Sequence, residues 1–166
     1  MLRDRRYRIV WPLDLMELAM NGQWQIVVAS SDLESRRRVT EILRKQGLDS
    51  LCSSTIAQCR EILAQDMSGL IFCDRSLADG GYRDLLAAAD CRSPRGKLVR
   101  IVLMSSAVDS EEYHSAKSSG LFEVIASPCK PTDVEWMVIR AKREAFTRTE
   151  RLVSTPSGKT HSAANQ

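Results

Sequence analysis

Short apolar runs alternate with longer amphipathic stretches along most of the chain. The runs are rich in Val, Ile and Leu and carry few charges, which is typical of strands buried on both faces of a parallel sheet. The predicted strands are Trp24–Ala29, a weaker one at Asp49–Ser53, Gly69–Asp74, Leu98–Met104 and Phe122–Ala126.

Between these strands, apolar residues recur at the spacing of an α-helix. Ser31–Glu34 has the pattern of a capping box, in which a hydroxyl begins the helix and a glutamate follows three residues later. The last helix is predicted to begin at Pro131 and to turn one apolar face inward. That face consists of Val134, Met137, Val138, Ala141 and Ala145. The remaining predicted helices begin near Thr55, Tyr82 and Asp109.

This alternation of five strands with five helices predicts an α/β fold whose parallel sheet is covered on both faces. The right-handed crossover rule leaves few topologies for such a chain. We predict a flavodoxin-like, doubly wound, five-stranded parallel sheet of the (βα)5 type with strand order 2-1-3-4-5. Functional groups in this fold collect at the carboxyl ends of the strands. The segments concerned are Ala29–Asp32, Cys73–Ser76, Met104–Ser106 and Ala126–Pro128.

The chain of 166 residues is expected to hold one domain and two flanking segments. The regular alternation places the domain at residues 23–146. Residues 1–22 are an arginine-rich N-terminal extension, either a loosely packed leader or an arm that docks on a partner. Residues 147–166 are rich in Ser and Thr and poor in apolar side chains, so they are predicted to form a disordered tail.

Composition excludes several classes of protein. With 43% hydrophobic residues, 27% charged residues and a net charge of +3, the chain is typical of a globular domain. No uncharged apolar run approaches the ~20 residues of a membrane helix, and the charged N-terminus lacks the pattern of a secretory signal. The five cysteines form no C-x-x-C pair and there are only two histidines, so no zinc site is expected. We therefore expect a cytoplasmic protein with reduced cysteines.

Polar side chains end two of the predicted strands. Asp74 follows an apolar run, and a carboxylate at that position can attack phosphorus to give an acyl phosphate. The alternative is that Asp74 only caps the following loop. Ser105 and Ser106 end the next strand, where hydroxyls can bind a phosphoryl oxygen or simply form a turn.

Four segments at these strand ends together resemble the receiver domain of two-component response regulators, over residues 24–142. The segments are Ile26–Ser35, Leu70–Asp74, Ile101–Asp109 and Gly120–Cys129. The resemblance implies that Asp74 is the phosphoacceptor and that Ser105 is the switch hydroxyl. It also implies Mg²⁺ as a cofactor, with Asp74 among its ligands.

The sequence departs from the family at the remaining positions. The paired acids that hold Mg²⁺ fall on Ser30 and Ser31, which leaves Asp32 as the one nearby acid for a weak metal site. The family's lysine falls on Ser127, and Lys130 lies three residues later. Val124 occupies the position where the family often has an aromatic switch residue.

Two functions from different classes remain open. In the first, the chain is a stand-alone receiver: a histidine kinase or phosphotransfer protein phosphorylates Asp74, and the signal passes by contact to a downstream protein partner. In the second, it is a pseudo-receiver that needs no phosphate and acts as a protein-interaction or dimerisation module. Trp136 is then an exposed anchor, unless it packs on its own helix or the adjacent loop. An independent enzyme is not expected, because the sequence has no phosphate loop and no nucleophile elbow.

Basic residues raise nucleic-acid binding as a further alternative. They comprise the arginines within residues 3–8 together with Arg140, Lys142, Arg143, Arg148 and Arg151. Basic side chains near helix ends more often face solvent or offset the helix dipole. We therefore expect neither a nucleic acid nor a membrane as the partner.

Overall fold

A computed structural model describes residues 24–65, 67–90 and 98–153 of the chain. The predicted N-terminal extension and the last part of the predicted tail lie outside these residues. The strands are β1 (Trp24–Ala29), β2 (Leu51–Ser53), β3 (Ser68–Asp74), β4 (Ser76–Leu77), β5 (Gly80–Gly81), β6 (Val99–Ser105) and β7 (Glu123–Ala126). The helices are α1 (Leu33–Lys45), α2 (Ile56–Ala64), α3 (Tyr82–Asp90), α4 (Ser110–Ser118) and α5 (Pro131–Val153).

The predicted fold class is confirmed. The main sheet has five parallel strands in the order β2-β1-β3-β6-β7, and β4 and β5 form a separate two-stranded hairpin. Counting only the strands of the main sheet, this is the predicted order 2-1-3-4-5. The register pairs Ala29 with Cys73 and Asp74 with Met104, so the carboxyl ends of these strands meet at one edge.

Helices cover both faces of the sheet and enclose two apolar clusters. Since strand side chains alternate between the faces, Val27 enters one cluster and its neighbour Val28 enters the other. The cluster of Val28 includes Leu43 from α1 and Val134 from α5. Each buried side chain of this kind contributes roughly 1.5–3 kcal/mol. All the residues predicted for the inner face of α5 are buried.

One position in β3 accepts only glycine. Gly69 has φ +154°, and a Cβ atom there would lie 1.8 Å from the carbonyl oxygen of Gln25 on β1. The backbones of β1 and β3 therefore approach closely because Gly69 has no side chain. In the same register Ala29 pairs with Cys73, the residue before Asp74.

Beyond shifts of one or two residues at strand ends, the structure differs from the predictions in three places. Asp32, not Ser31, is the N-cap of α1. The β4–β5 hairpin was not predicted, because two-residue strands are too short to show a hydrophobic period. Helix α5 continues to Val153, beyond the boundary predicted at residue 146. Among the described residues, no helix is long and apolar enough to cross a membrane.

Candidate functional site

Asp74 is the last residue of β3 and lies half-buried at the carboxyl edge of the sheet. It borders an open cavity of about 420 Å³. Serines dominate the wall of this cavity, and the described charged residues in it are two acids and one arginine. The lining consists of Asp32, Ser35, Asp74, Arg75, Ser76, Met104, Ser105, Ser106, Ala107 and Ser127. We call it the Asp74 cavity.

Two hydroxyl groups donate hydrogen bonds to the Asp74 carboxylate. The Ser30 hydroxyl donates to Oδ2, and the Ser35 hydroxyl donates to Oδ1 at 3.4 Å. Ser30 is fully buried, and its oxygen accepts from the backbone N–H of Asp32 at 3.0 Å. The hydroxyl has one proton and two acceptors within reach, Asp74 Oδ2 and the backbone carbonyl of Asp32 at 3.1 Å, and the contact with Asp74 is the shorter one.

Burial is the main influence on the acidity of Asp74 and raises the pKa of its carboxyl above the ordinary value. The hydrogen bonds from Ser30 and Ser35 act in the opposite direction, while the negative charge of Asp32 adds to the rise. No positively charged group is among the causes of this shift. The carboxylate is therefore held by neutral donors alone.

Asp32 lies in the wall of the cavity but is committed to a helix. Its two carboxylate oxygens accept from the backbone N–H groups of Glu34 and Ser35, each at 3.2 Å. These bonds satisfy donors that the first turn of α1 would otherwise leave free. Turning Asp32 towards a metal ion would break this cap.

The donor set at this edge does not fit Mg²⁺ in the arrangement that the receiver resemblance implies. Hydroxyls of Ser30 and Ser31 replace the two acids, and the Ser30 hydroxyl is hydrogen-bonded to Asp74. Mg²⁺ prefers carboxylate and water oxygens. Across residues 24–65, 67–90 and 98–153, no three Asp, Glu, His or Cys side chains lie together in a way that could hold a metal ion.

Lys130, the lysine nearest in sequence to the family's lysine position, does not line the Asp74 cavity. Ser127 borders the cavity, whereas Lys130 is exposed, is not part of its lining and accepts from the N–H groups of Asp133 and Val134 through its backbone oxygen. Arg75, which the sequence analysis missed, is the basic residue in the described lining. Its guanidinium donates to Glu112 and to the carbonyl of Ala107, each at 2.7 Å. The position of Arg75 directly after Asp74 in the sequence could have indicated that it lines the cavity. Its pairing with Glu112 could not be predicted, because the two residues are 37 positions apart.

Ser105 faces the same cavity without contacting Asp74. Its hydroxyl donates to the carbonyl of Ala107 at 3.2 Å and accepts from the N–H of Ala107 at 3.4 Å. This is the turn-forming alternative of the sequence analysis. Ser105 would need to rotate away from Ala107 to meet a group placed on Asp74.

The loop after Asp74 is fastened to α2. The Asp79 carboxylate accepts from the backbone N–H groups of Ile56 and Ala57, the latter at 3.0 Å. Thr55 caps the same helix through Gln58 N–H at 3.1 Å. The bonds from Ile56 and Ala57 hold the pKa of Asp79 below its ordinary value.

A second carboxylate, Glu123, connects the edge strand β7 to the helices on either side. It accepts from the Tyr113 hydroxyl of α4 at 2.9 Å and from Arg140 of α5 at 3.2 Å, and Lys117 lies 3.7 Å away. Burial opposes ionisation of Glu123, but Tyr113, the N–H of Val124, Arg140 and Lys117 together hold its pKa below the ordinary value.

The surface that these elements form, the α4–β7–α5 face, includes an exposed aromatic side chain. Trp136 of α5 is 53% exposed, which favours an exposed anchor over a side chain packed on its own helix or the adjacent loop. Val124, at the family's aromatic switch position, is half-buried. A large exposed aromatic side chain is a common anchor of protein interfaces.

Comparisons with known proteins find similarity in structure only. No family model matches the chain, and no curated protein matches it. The signal receiver domain of an HD domain-containing protein from Pseudomonas fluorescens Pf-5 is similar, with 16% identity and a TM-score of 0.67 over 78% of this chain and 93% of that one.

Two further solved structures are similar to this chain to about the same extent. The receiver domain of NtrX from Brucella abortus has 21% identity and a TM-score of 0.63, over 72% of this chain and 98% of that one. The beryllofluoride-activated NtrC4 receiver domain dimer has 14% identity and a TM-score of 0.65, over 73% of this chain and 98% of that one. The chain has the fold of response-regulator receiver domains.

Proposed function

We propose that this chain is a receiver-fold signalling module of two-component type that works through protein contacts, without Mg²⁺-dependent phosphoryl transfer at Asp74. One observation carries the proposal: neutral hydroxyls of Ser30 and Ser35 hold the Asp74 carboxylate. The resemblance to receiver domains implies paired acids and a metal ion beside Asp74.

Electrostatics explains why this difference matters. A phosphoryl group spreads negative charge over its oxygens, and transfer depends on cations that neutralise it. One unit-charge pair at ~4 Å is worth about 4 kcal/mol at an effective dielectric of ~20. The described wall of the Asp74 cavity holds Asp32 and Asp74 against one cation, Arg75, which is already paired with Glu112. The cavity therefore lacks the positive charge that would favour a phosphoryl group.

A phosphodonor experiment tests this directly. The full chain is incubated with acetyl phosphate, with and without Mg²⁺, and its intact mass is followed. We expect no added phosphoryl group in either condition. A Mg²⁺-dependent gain of one phosphoryl mass that disappears in Asp74→Asn would overturn the proposal.

That outcome would favour a second candidate function, a phosphate-accepting receiver served by a histidine kinase or phosphotransfer protein. The observation in its favour is that Asp74 borders an open cavity together with Ser105 and Ser127. A purified phosphodonor kinase replaces acetyl phosphate in the same assay. Transfer to wild type and not to Asp74→Asn would establish this function.

The α4–β7–α5 face is our proposed contact surface, with a second copy of this chain as its occupant. β7 is an edge strand of the sheet, and Trp136 lies exposed on the helix beside it. The similar NtrC4 receiver domain is described as a dimer. Glu123 holds α4 and α5 at fixed positions on either side of the strand. Bonds that restrain the two helices before association lower its entropic cost.

Sedimentation equilibrium tests the surface. Trp136→Ala should weaken self-association and leave the thermal midpoint nearly unchanged, because the side chain is exposed. Leu51→Ala is the matched control, since Leu51 is 42% exposed at the opposite edge strand, β2. A wild-type chain that stays monomeric, or equal effects of the two substitutions, would count against this surface.

A further inference from the structure

Two adjoining cavities lie at the amino ends of the strands, where β6 begins, and thus at the end of the sheet opposite to the Asp74 cavity. Each has a volume of about 490 Å³, and they share Leu98, Arg100 and Arg148. One extends along α5, and the other reaches the end of α4 at Ser118–Gly120. We call them the arginine cavities. The length of β6 separates them from the Asp74 cavity by roughly 20 Å.

Arginine side chains give the arginine cavities their charge. Arg100 pairs with Glu144 at 2.6 Å, and its Nε atom is buried without a hydrogen-bond partner among the described residues. Arg143 and Arg148 are exposed, and no ion pair is recorded for either within the described part of the chain. In the described lining, three guanidinium groups face the one carboxylate of Glu144, which leaves an excess of positive charge there.

These arginines differ from the other basic residues that the sequence analysis considered for nucleic acid. Arg140 is bound to Glu123, and Lys142 is buried, with its Nζ 5.0 Å from the ring centre of Trp24. The N-terminal arginines and the side chain of Arg151 lie outside the described part. Of the described basic residues that the sequence analysis considered, Arg143 and Arg148 are the two that line a concave site.

Apolar side chains form part of the wall, beside the polar residues Ser118, Ser119 and Thr147. Leu86 and Ala89 of α3 and Leu98 before β6 line the second cavity. Cavities of ~300–1,000 Å³ that combine an apolar wall with a few convergent polar groups are typical of small-molecule sites. A nucleic-acid surface would instead follow the backbone over an extended stripe of charge.

We propose that the arginine cavities bind a small phosphorylated molecule of nucleotide type. Its phosphate lies against Arg100, Arg143 and Arg148, and its planar or apolar part lies on the wall of Leu86, Ala89 and Leu98. Guanidinium groups suit this role because their paired N–H groups match the oxygens of a phosphate. This ligand site is separate from the proposed function at Asp74 and at the α4–β7–α5 face.

Calorimetric titration of the full chain in Mg²⁺-free buffer tests the site. The probes are AMP, pyrophosphate and adenosine. AMP should bind more tightly than either of the others, because it alone offers both the phosphate and the ring. Arg143→Gln with Arg148→Gln should weaken AMP binding by about tenfold or more, since hydrogen bonds to charged groups are lost. The thermal midpoint should stay the same, because both side chains are exposed.

The control is Arg37→Gln with Arg44→Gln, which removes the same charge from exposed positions of α1. It should leave AMP binding unchanged. No binding of AMP, equal losses in the two double variants, or pyrophosphate as tight as AMP would each overturn the proposal. So would retention of duplex DNA, lost in Arg143→Gln with Arg148→Gln, without AMP binding.

Discussion

Asp74 and Glu123 are both partly buried carboxylates at ends of parallel strands, yet their pKa values move in opposite directions. Asp74 meets the hydroxyls of Ser30 and Ser35, and burial dominates. Glu123 meets the cations Arg140 and Lys117 as well as the Tyr113 hydroxyl, and these together outweigh burial. Neutral donors satisfy the geometry of a carboxylate, but only cations offset the cost of burying its charge.

The two carboxylates also differ in what their surroundings can do. The Glu123 cluster fastens α4 and α5 to the edge strand, so it supports the proposed contact surface. The Asp74 cavity retains an acid at the family's phosphoacceptor position. Its described wall has only one cation, Arg75, to neutralise a phosphoryl group. We infer that the contact surface, rather than the cavity, carries the function.

The largest effect is expected from Glu123→Gln. This change removes the charge that Arg140 and Lys117 share, and we expect a loss of about 2 kcal/mol in the free energy of unfolding at neutral pH. Because the folded pKa of Glu123 is lowered, its contribution is present above the unfolded pKa and is lost as pH falls through the folded value. Urea unfolding at neutral and acid pH measures both effects.

The control for this change is Glu41→Gln. Glu41 is an exposed carboxylate paired with Lys45 at 3.1 Å, so solvent screens the pair and little stability should be lost. If Glu41→Gln lowers the free energy of unfolding as much as Glu123→Gln does, then the partly buried cluster around Glu123 stabilises the fold no more than an exposed ion pair.

The next effect is expected from Ser30→Ala. The substitution leaves Oδ2 of Asp74 and the N–H of Asp32 without the Ser30 hydroxyl, at a cost of about 1–2 kcal/mol. The same substitution should cost less in an Asp74→Asn background, because the partner is then uncharged. A double-mutant cycle measured by urea unfolding gives the coupling. Zero coupling would mean that the Ser30–Asp74 bond contributes nothing.

A smaller change of opposite sign is expected from Asp74→Asn. The folded pKa of Asp74 is raised, so its ionised form disfavours folding once pH exceeds the unfolded pKa. At neutral pH the variant should be more stable by a few tenths to about 1 kcal/mol, after allowance for solvent screening. The gain should vanish below the unfolded pKa of about 3.9. Greater stability of the wild type at neutral pH would show that burial does not dominate.

The smallest effect is expected from Mg²⁺. A ligand that binds the folded state raises the thermal midpoint, so millimolar Mg²⁺ should leave the wild type unchanged. Ser30→Asp with Ser31→Asp places carboxylates where the family has them and should make the midpoint sensitive to Mg²⁺. Ca²⁺ at the same ionic strength is the comparison. A Mg²⁺-dependent rise in the wild type would contradict the poor fit of the donor set.

Much of the fold could be predicted because it depends on periodicity. The apolar stripe of α5 and the buried runs of β1, β3 and β6 are local patterns. The stripe shows which side of the helix faces the core, and the runs indicate strands that are buried on both faces. The position of Asp74 at the carboxyl edge followed from the end of its strand. The start of α1 was misplaced by one residue, because Ser31 and Asp32 are both good N-caps and the extended backbone of Asp32 decided between them.

The partners of the site could not be predicted in the same way. Ser30 and Asp74 are 44 residues apart, and Arg75 and Glu112 are 37 apart. Such pairs form only when strands and helices pack in three dimensions, and shifts of a few ångströms decide whether they exist. No local pattern shows that Asp32 turns to its own helix or that Lys130 stays outside the cavity.

The linear order of residues determined the layers, the strand order and the acid at the mouth of β3, since these depend on repeating patterns of hydrophobicity. Packing decided the charge environment of each carboxylate. Electrostatic interactions depend on distances between groups that are remote along the chain, and only the folded molecule brings cations to Glu123 while leaving Asp74 with hydroxyls.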